Sequence, residues 1–177
     1  MTDTFAHRLP LNQIRDGERI EISADEGERR QIADRLGLRS LDRLEAHAML
    51  DRKGENVRAR GRLRASLCQS CAVTGEPIDA HADEAFDIYF LPEPKSGGGS
   101  DEEVELVEAD CDVVFHDGSA IDLGGAIADT LALGLDPYPR SAGAQAVLKD
   151  AGVLSEEEAG PFAALAELKK KMGGDEA

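Results

Sequence analysis

The chain reads as an α+β protein, an antiparallel β-sheet with packed helices and a short C-terminal amphipathic helix. Residues 38–51 and 57–67 alternate apolar and polar side chains on either side of Lys53-Gly54-Glu55-Asn56, the pattern of a long hairpin. Residues 82–91 alternate again, with Phe86, Ile88 and Phe90 on one side and Asp87 and Tyr89 on the other. Helical spacing appears at Ile32, Ala33 and Leu36, and at Leu123, Ile127 and Leu131.

The elements follow in order. A short strand from Phe5 is closed by Pro10, and a turn at Asp16-Gly17 leads into an alternating strand, Arg19-Ile20-Glu21-Ile22. Ser23, with Glu26 three residues on, predicts the N-cap of a helix that Gly37 ends. In the hairpin, Leu44, Ala46, Ala48 and Leu50 share one face and Arg43, Glu45, His47 and Met49 the other. Across the turn, Val57, Ala59, Gly61, Leu63, Ala65 and Leu67 face the core, which leaves Arg58, Arg60, Arg62 and Arg64 in a row outside. Cross-strand carboxylates such as Glu45 are expected to neutralise part of that row. Pro92 to Asp101 is too rich in Pro, Gly and Ser for a ladder and reads as a flexible loop. Residues 104–115 return as a strand, so that the middle of the chain is an antiparallel sheet. Asp122 is the expected N-cap of a helix stopping near Gly134, before the turn Asp136-Pro137-Tyr138-Pro139. Residues 141–154 are weakly patterned. Ser155 opens a capping sequence followed by Phe162, Leu165 and Leu168 at helical spacing. The expected organisation is one domain over 1–140 with a loop at 92–103, and a C-terminal segment over 141–177.

Charge bounds the partners. Against 20 basic residues stand 36 acidic ones, a formal net of −16 that repels bulk nucleic acid and anionic membrane. The imbalance lies almost wholly after residue 65: residues 1–65 carry 14 Lys+Arg and 12 Asp+Glu, the remainder 6 and 24. An acidic half beside an arginine-bearing half suits a basic protein on one side and RNA phosphate on the other, or simply a solvated surface. Three cysteines, with no hydrophobic leader and no run of transmembrane length, predict a cytoplasmic protein rather than a disulfide scaffold.

Cys68 and Cys71 have a spacing that lets two thiolates share zinc, but a tetrahedral site needs four ligands. Cys111 and His116 are the available additions. The same pair can serve as a redox dithiol beside Arg62 and Arg64, or can be structural. No hydrolase elbow, zinc-protease helix or phosphate-cradling loop is present, and the four histidines are scattered, so no enzyme is expected. The arginine row weighs more. Alternate strand residues stand roughly 6.5 to 7 Å apart, close to the phosphate spacing of a single RNA strand. The competing reading is a solvated or internally paired face, and with two tyrosines and no tryptophan a base-stacking platform is thinly supplied.

Several segments together resemble the YceD family, linked to accumulation of the large-subunit ribosomal RNA in bacteria and plastids. They are L-D-R-L-E-A at 41–46, G-R-L-R-A at 61–65, C-Q-S-C-A-V-T-G-E-P at 68–77, F-D-I-Y-F at 86–90, I-D-L at 121–123, L-D-P-Y-P-R at 135–140 and P-F-A-A-L-A-E-L-K at 161–169. The resemblance covers nearly the whole chain and is strongest to the alphaproteobacterial branch. It implies a non-enzymatic role in 23S rRNA synthesis, processing or early large-subunit assembly. The motif positions it marks are Arg62, Cys68, Cys71, Glu76, Pro77, Asp136, Pro137, Tyr138 and Pro139. In some branches a C-terminal cysteine cluster can complete a metal site, whereas this chain has no cysteine after Cys111. The expected partner is precursor 23S rRNA or a basic ribosomal or rRNA-processing protein, with no cofactor and no membrane. The alternative is a zinc-binding or thiol-redox module built on Cys68 and Cys71.

Overall fold

Two strands of fourteen and fifteen residues, joined by a two-residue turn, organise the rest of the chain around them. In this computed structural model, which describes Phe5, residues 7–93 and residues 112–153, the elements are β1 (Arg8–Pro10), β2 (Glu18–Ser23), α1 (Glu26–Leu36), β3 (Ser40–Lys53), β4 (Asn56–Ser70), β5 (Pro77–Pro92), β6 (Asp112–His116), β7 (Ala120–Asp122), α2 (Leu123–Gly134) and α3 (Ala144–Asp150). A five-stranded sheet has the order β2-β3-β4-β5-β6, and β1 pairs with β7 in a separate ribbon. The fold is α+β, as the alternation predicts.

The hairpin register follows from burying one face. Leu44 lies opposite Ala65, Ala46 opposite Leu63 and Leu50 opposite Ala59. The register continues into β5, where Ala59 meets Ile88 and Val57 meets Phe90. A one-residue slip would send every one of these side chains to solvent. Helix α1 packs on β3 and α2 on β5 and β4, inserting Ile32, Ile127 and Leu131 into the same core as the strand residues. Each fully buried Leu or Ile contributes about 1.5–3 kcal/mol.

At Gly61 the chain approaches its neighbours closely: a Cβ there would lie 2.0 Å from the His47 carbonyl oxygen and 2.7 Å from Cζ of Phe86. The backbone contact between β3 and β4 leaves no room for a side chain. Helix α1 ends at Gly37, whose φ of 65° lets its N–H turn back to the carbonyls of Ala33 and Asp34.

The structure departs from the sequence expectations in three places. The cap of α1 is Asp25, not Ser23. Asp25 accepts from the Glu28 N–H while the Glu28 carboxylate accepts from the Asp25 N–H, at 2.8 and 2.7 Å. Ser23 is still in the ladder, opposite Glu45, and buried Ala24 bonds to the Leu44 carbonyl, so strand pairing overrides the earlier capping pattern. Asp25→Ala is expected to cost about 1 kcal/mol in urea unfolding. Secondly, β2 to β5 are antiparallel but β6 runs parallel to β5, with Tyr89 opposite Val113. Thirdly, the weakly patterned stretch after Ser141 contains the one-to-two-turn helix α3, whose first residue, Ala144, is buried. Of the expected loop at 92–103, Pro92 closes β5 and 94–103 lies outside the described residues. The same holds for the start of the expected strand at Val104 and for the helix opened by Ser155.

Candidate functional site

Both described helices that pack on the five-stranded sheet approach its apolar side, so its other face is uncovered among the described residues. That outer face is where β4 carries Arg58, Arg60, Arg62 and Arg64. The neighbouring strands supply carboxylates at matching register. Arg58 donates two hydrogen bonds to Asp87, at 2.8 and 2.6 Å, and its guanidinium lies 4.8 Å from the centre of the Tyr89 ring. Arg60 donates to Asp51 at 2.6 Å. Arg62 donates to Asp83, whose other oxygen lies 3.6 Å from Nε of Arg64.

Asp51, Asp83 and Asp87 are therefore the counter-ions of the row. Glu45, expected in that role, lies opposite Arg64 and attracts it, while its ion pair goes to Arg43 at 2.5 Å on its own strand. The Arg62 bond holds the Asp83 carboxyl below its ordinary range, and the Arg58 fork does the same to Asp87. Both stay ionised at neutral pH. The pairing is uneven along the strand: Arg58 is gripped by two bonds and a ring, whereas Arg62 and Arg64, 56% and 66% exposed, share one carboxylate. At that end two guanidinium groups share one ion-paired carboxylate, and Glu45 opposite Arg64 and Glu84 beside Arg62 add weaker attraction. Exposed surface pairs of this kind contribute little to stability, so a competing anion can displace them.

A second constellation lies where β4 gives way to β5. Here Cys71 and Glu76 meet the Asp136-to-Ser141 segment, about 65 residues away in sequence. The Cys71 N–H donates to the Glu76 carbonyl at 2.7 Å and the Gly75 N–H to the Cys71 carbonyl at 2.9 Å, which closes the turn. Pro77 opens β5 opposite Ser70, a strand-start position where the missing N–H costs no ladder bond. The distant segment docks through backbone: Ala72 N–H donates to the Pro139 carbonyl at 2.8 Å and Gln69 Nε2 to the Asp136 carbonyl at 3.0 Å.

Cys71 is only 3% exposed. Its Sγ accepts from the Ser141 N–H at 3.3 Å and the Thr74 N–H at 3.4 Å. The Ser141 side chain first, then the Ser141 N–H and the Thr74 side chain and N–H, bring the thiol down to about 6 from its ordinary value, against the opposing push of burial. The hydroxyls of Ser141 and Thr74 each donate to the Glu76 carboxylate at 3.0 Å. Asp136 caps its own turn through the Tyr138 N–H at 2.9 Å. Pro137 and Pro139, with Leu36, Leu38 and Leu135, line a cavity of about 300 Å³, while the Tyr138 side chain stands in solvent. Sequence reading singled out Cys71 and Glu76 but not Thr74 or Ser141, because nothing local signals that a hydroxyl will meet a partner so far along the chain.

The four-ligand metal arrangement does not assemble from the residues described. His116 is buried at the hairpin tip: its Nδ1 accepts from the Gly118 N–H, and its Nε2 is 3.0 Å from the Glu55 carbonyl. Both ring nitrogens are engaged, so neither offers a free lone pair to an ion. Cys68 and Cys71 stand at the other end of β4, roughly 40 Å away at about 3.3 Å per residue. One ion cannot bridge that length. Among the described residues no group of three His, Cys, Asp or Glu side chains is placed to hold a metal, and Cys111 lies outside them.

A family model described as "Large ribosomal RNA subunit accumulation protein YceD" matches residues 59–169, more than half of the chain. The chain belongs to the YceD family. The YceD match takes in Arg60, Arg62 and Arg64, the Cys71 turn, β5 and the Asp136-to-Ser141 segment, and it begins one residue after Arg58. Hence the docked turn and the Arg62–Arg64 end of the row both fall inside the YceD region, while β1 to β3 precede it. No curated protein and no solved structure matches the chain. No helix among the described residues is long and apolar enough to cross a membrane.

Proposed function

We propose that this YceD-family protein supports accumulation of large-subunit ribosomal RNA as a cytoplasmic, non-catalytic binding factor that contacts precursor 23S rRNA through the outer face of its sheet. The observation that carries the reading is the shared carboxylate: among the described residues, two exposed guanidinium groups, Arg62 and Arg64, are both ion-paired to Asp83. Guanidinium forks suit phosphate oxygens. On a chain of net charge −16, such a patch restricts contact to a few phosphates and keeps the rest of the RNA away.

The test is a quadruple Arg→Ser protein at Arg58, Arg60, Arg62 and Arg64, compared with the parent by fluorescence anisotropy on precursor 23S fragments across a salt series. The parent is expected to bind with a salt slope near −2, as for about three phosphates on a single strand, and the variant to lose at least about tenfold in affinity while keeping a native far-ultraviolet spectrum. Equal binding by a folded variant would sink the reading.

The acidic composition favours a second reading, in which a basic ribosomal or rRNA-processing protein docks on carboxylates such as Asp101 to Glu105 and Glu156 to Glu158. Capture from growing cells separates the two: retention of ribosomal proteins after nuclease treatment favours protein docking, and loss of all partners favours direct RNA contact.

A further inference from the structure

The outer face has two chemically different ends, which together select a kind of RNA. At one end Arg62 and Arg64 share Asp83. At the other, Arg58 lies opposite Tyr89, Tyr89 opposite Val113, and Leu91 opposite Phe115. Phe115 is 56% exposed and Val113 is also in solvent, so β6 ends the face with an open aromatic surface. Phosphates fit the first end and unpaired bases the second.

Resting on the RNA-binding reading above, we propose that this face takes a short run of single-stranded RNA, its phosphates on Arg60, Arg62 and Arg64 and a base stacked on Phe115, and that Asp83 is the carboxylate the RNA displaces. Alternate residues on β4 are about 6.8 Å apart, within reach of successive phosphates of an extended strand. A duplex keeps its bases inside and brings a denser charge against an acidic protein, so it gains nothing from Phe115 and is repelled more strongly. The carboxylates already occupy the positions that phosphates would take. Asp87 is the stronger competitor, since Arg58 grips it with two bonds and also faces the Tyr89 ring. Asp83 is the weaker one, half exposed and stretched between two arginines. Binding should then exchange one set of ion pairs for another without refolding the sheet.

The full chain is titrated against labelled single-stranded oligouridine and against an RNA duplex of equal length. Asp83→Asn is expected to tighten single-strand binding about threefold or more by removing a competing charge. Phe115→Ser is expected to weaken it at least about fivefold through lost stacking, and Arg62→Ser with Arg64→Ser to weaken it at least about tenfold. All three sites are exposed, and matched melting curves check that each variant folds. Single-strand binding that is lost in the arginine variant but unchanged in both Asp83→Asn and Phe115→Ser would overturn this proposal and leave the wider RNA reading standing. Preference for the duplex would likewise overturn it. No binding of either RNA by the parent would overturn this proposal, while the wider reading stands or falls on the precursor 23S fragments.

Discussion

Gly61→Val is expected to lower the melting temperature by about 10 °C or more, or to abolish soluble expression. Even a single added Cβ would lie 2.0 Å from the His47 carbonyl oxygen and 2.9 Å from the Ala48 Cα, both backbone atoms, and 2.7 Å from Phe86. Backbone cannot rotate out of the way as a long side chain can. The hairpin must open or β4 must shift, and either movement disturbs the register that buries Leu63 and Phe86. Overpacking in a well-filled interior typically costs about 1–3 kcal/mol and more where backbone is in contact, and each kcal/mol corresponds to about 2–4 °C in a chain of this length. Gly143→Ala is the control, since a Cβ there meets nothing within 4 Å. A Gly61→Val protein that melts with the parent would refute the close approach.

Cys71 should titrate far below an ordinary thiol and should tie stability to pH. In the folded chain its thiol sits at about 6 because Ser141 and Thr74 donate to the sulfur; in the unfolded chain it ionises near about 8.5. Since the folded value is the lower, the contribution is complete above the unfolded value and is lost as pH falls through about 6. In a Cys68→Ser, Cys111→Ser background, thiolate absorbance is expected to rise with a midpoint near pH 6. Urea stability should fall more steeply between about pH 8.5 and pH 6 than in the same background carrying Cys71→Ser. A midpoint in the ordinary thiol range would show that Ser141 and Thr74 do not stabilise the thiolate. Cys71→Ala should leave the Ser141 and Thr74 N–H groups without their acceptor and lower the melting temperature by several degrees.

The arginine row was legible in the sequence because alternation alone assigns a side to each residue once one face is apolar. Its hydrogen-bonded counter-ions were not. Glu45 does lie opposite Arg64 and attract it, yet its ion pair goes to Arg43 two positions away, and the bonded partners of the row are Asp51 from β3 and Asp83 and Asp87 from β5. That choice depends on which strand lies on each side and in what register. Likewise, Ser23 satisfied the local capping pattern, but two more ladder positions moved the cap to Asp25.

By itself, then, the amino-acid sequence determined the α+β class, the long hairpin, the faces of residues 43–50, 57–67 and 86–90 and the start of α2 at Asp122, all properties set by neighbours a few residues apart. Tertiary structure alone decided the parallel placement of β6, the separation of His116 from Cys71 along β4, the sharing of Asp83 by two arginines and the docking of Ser141 on the Cys71 sulfur. Each of these joins residues far apart in the chain, and a contact of that range depends on how the intervening strands pair, which no local pattern of side chains encodes.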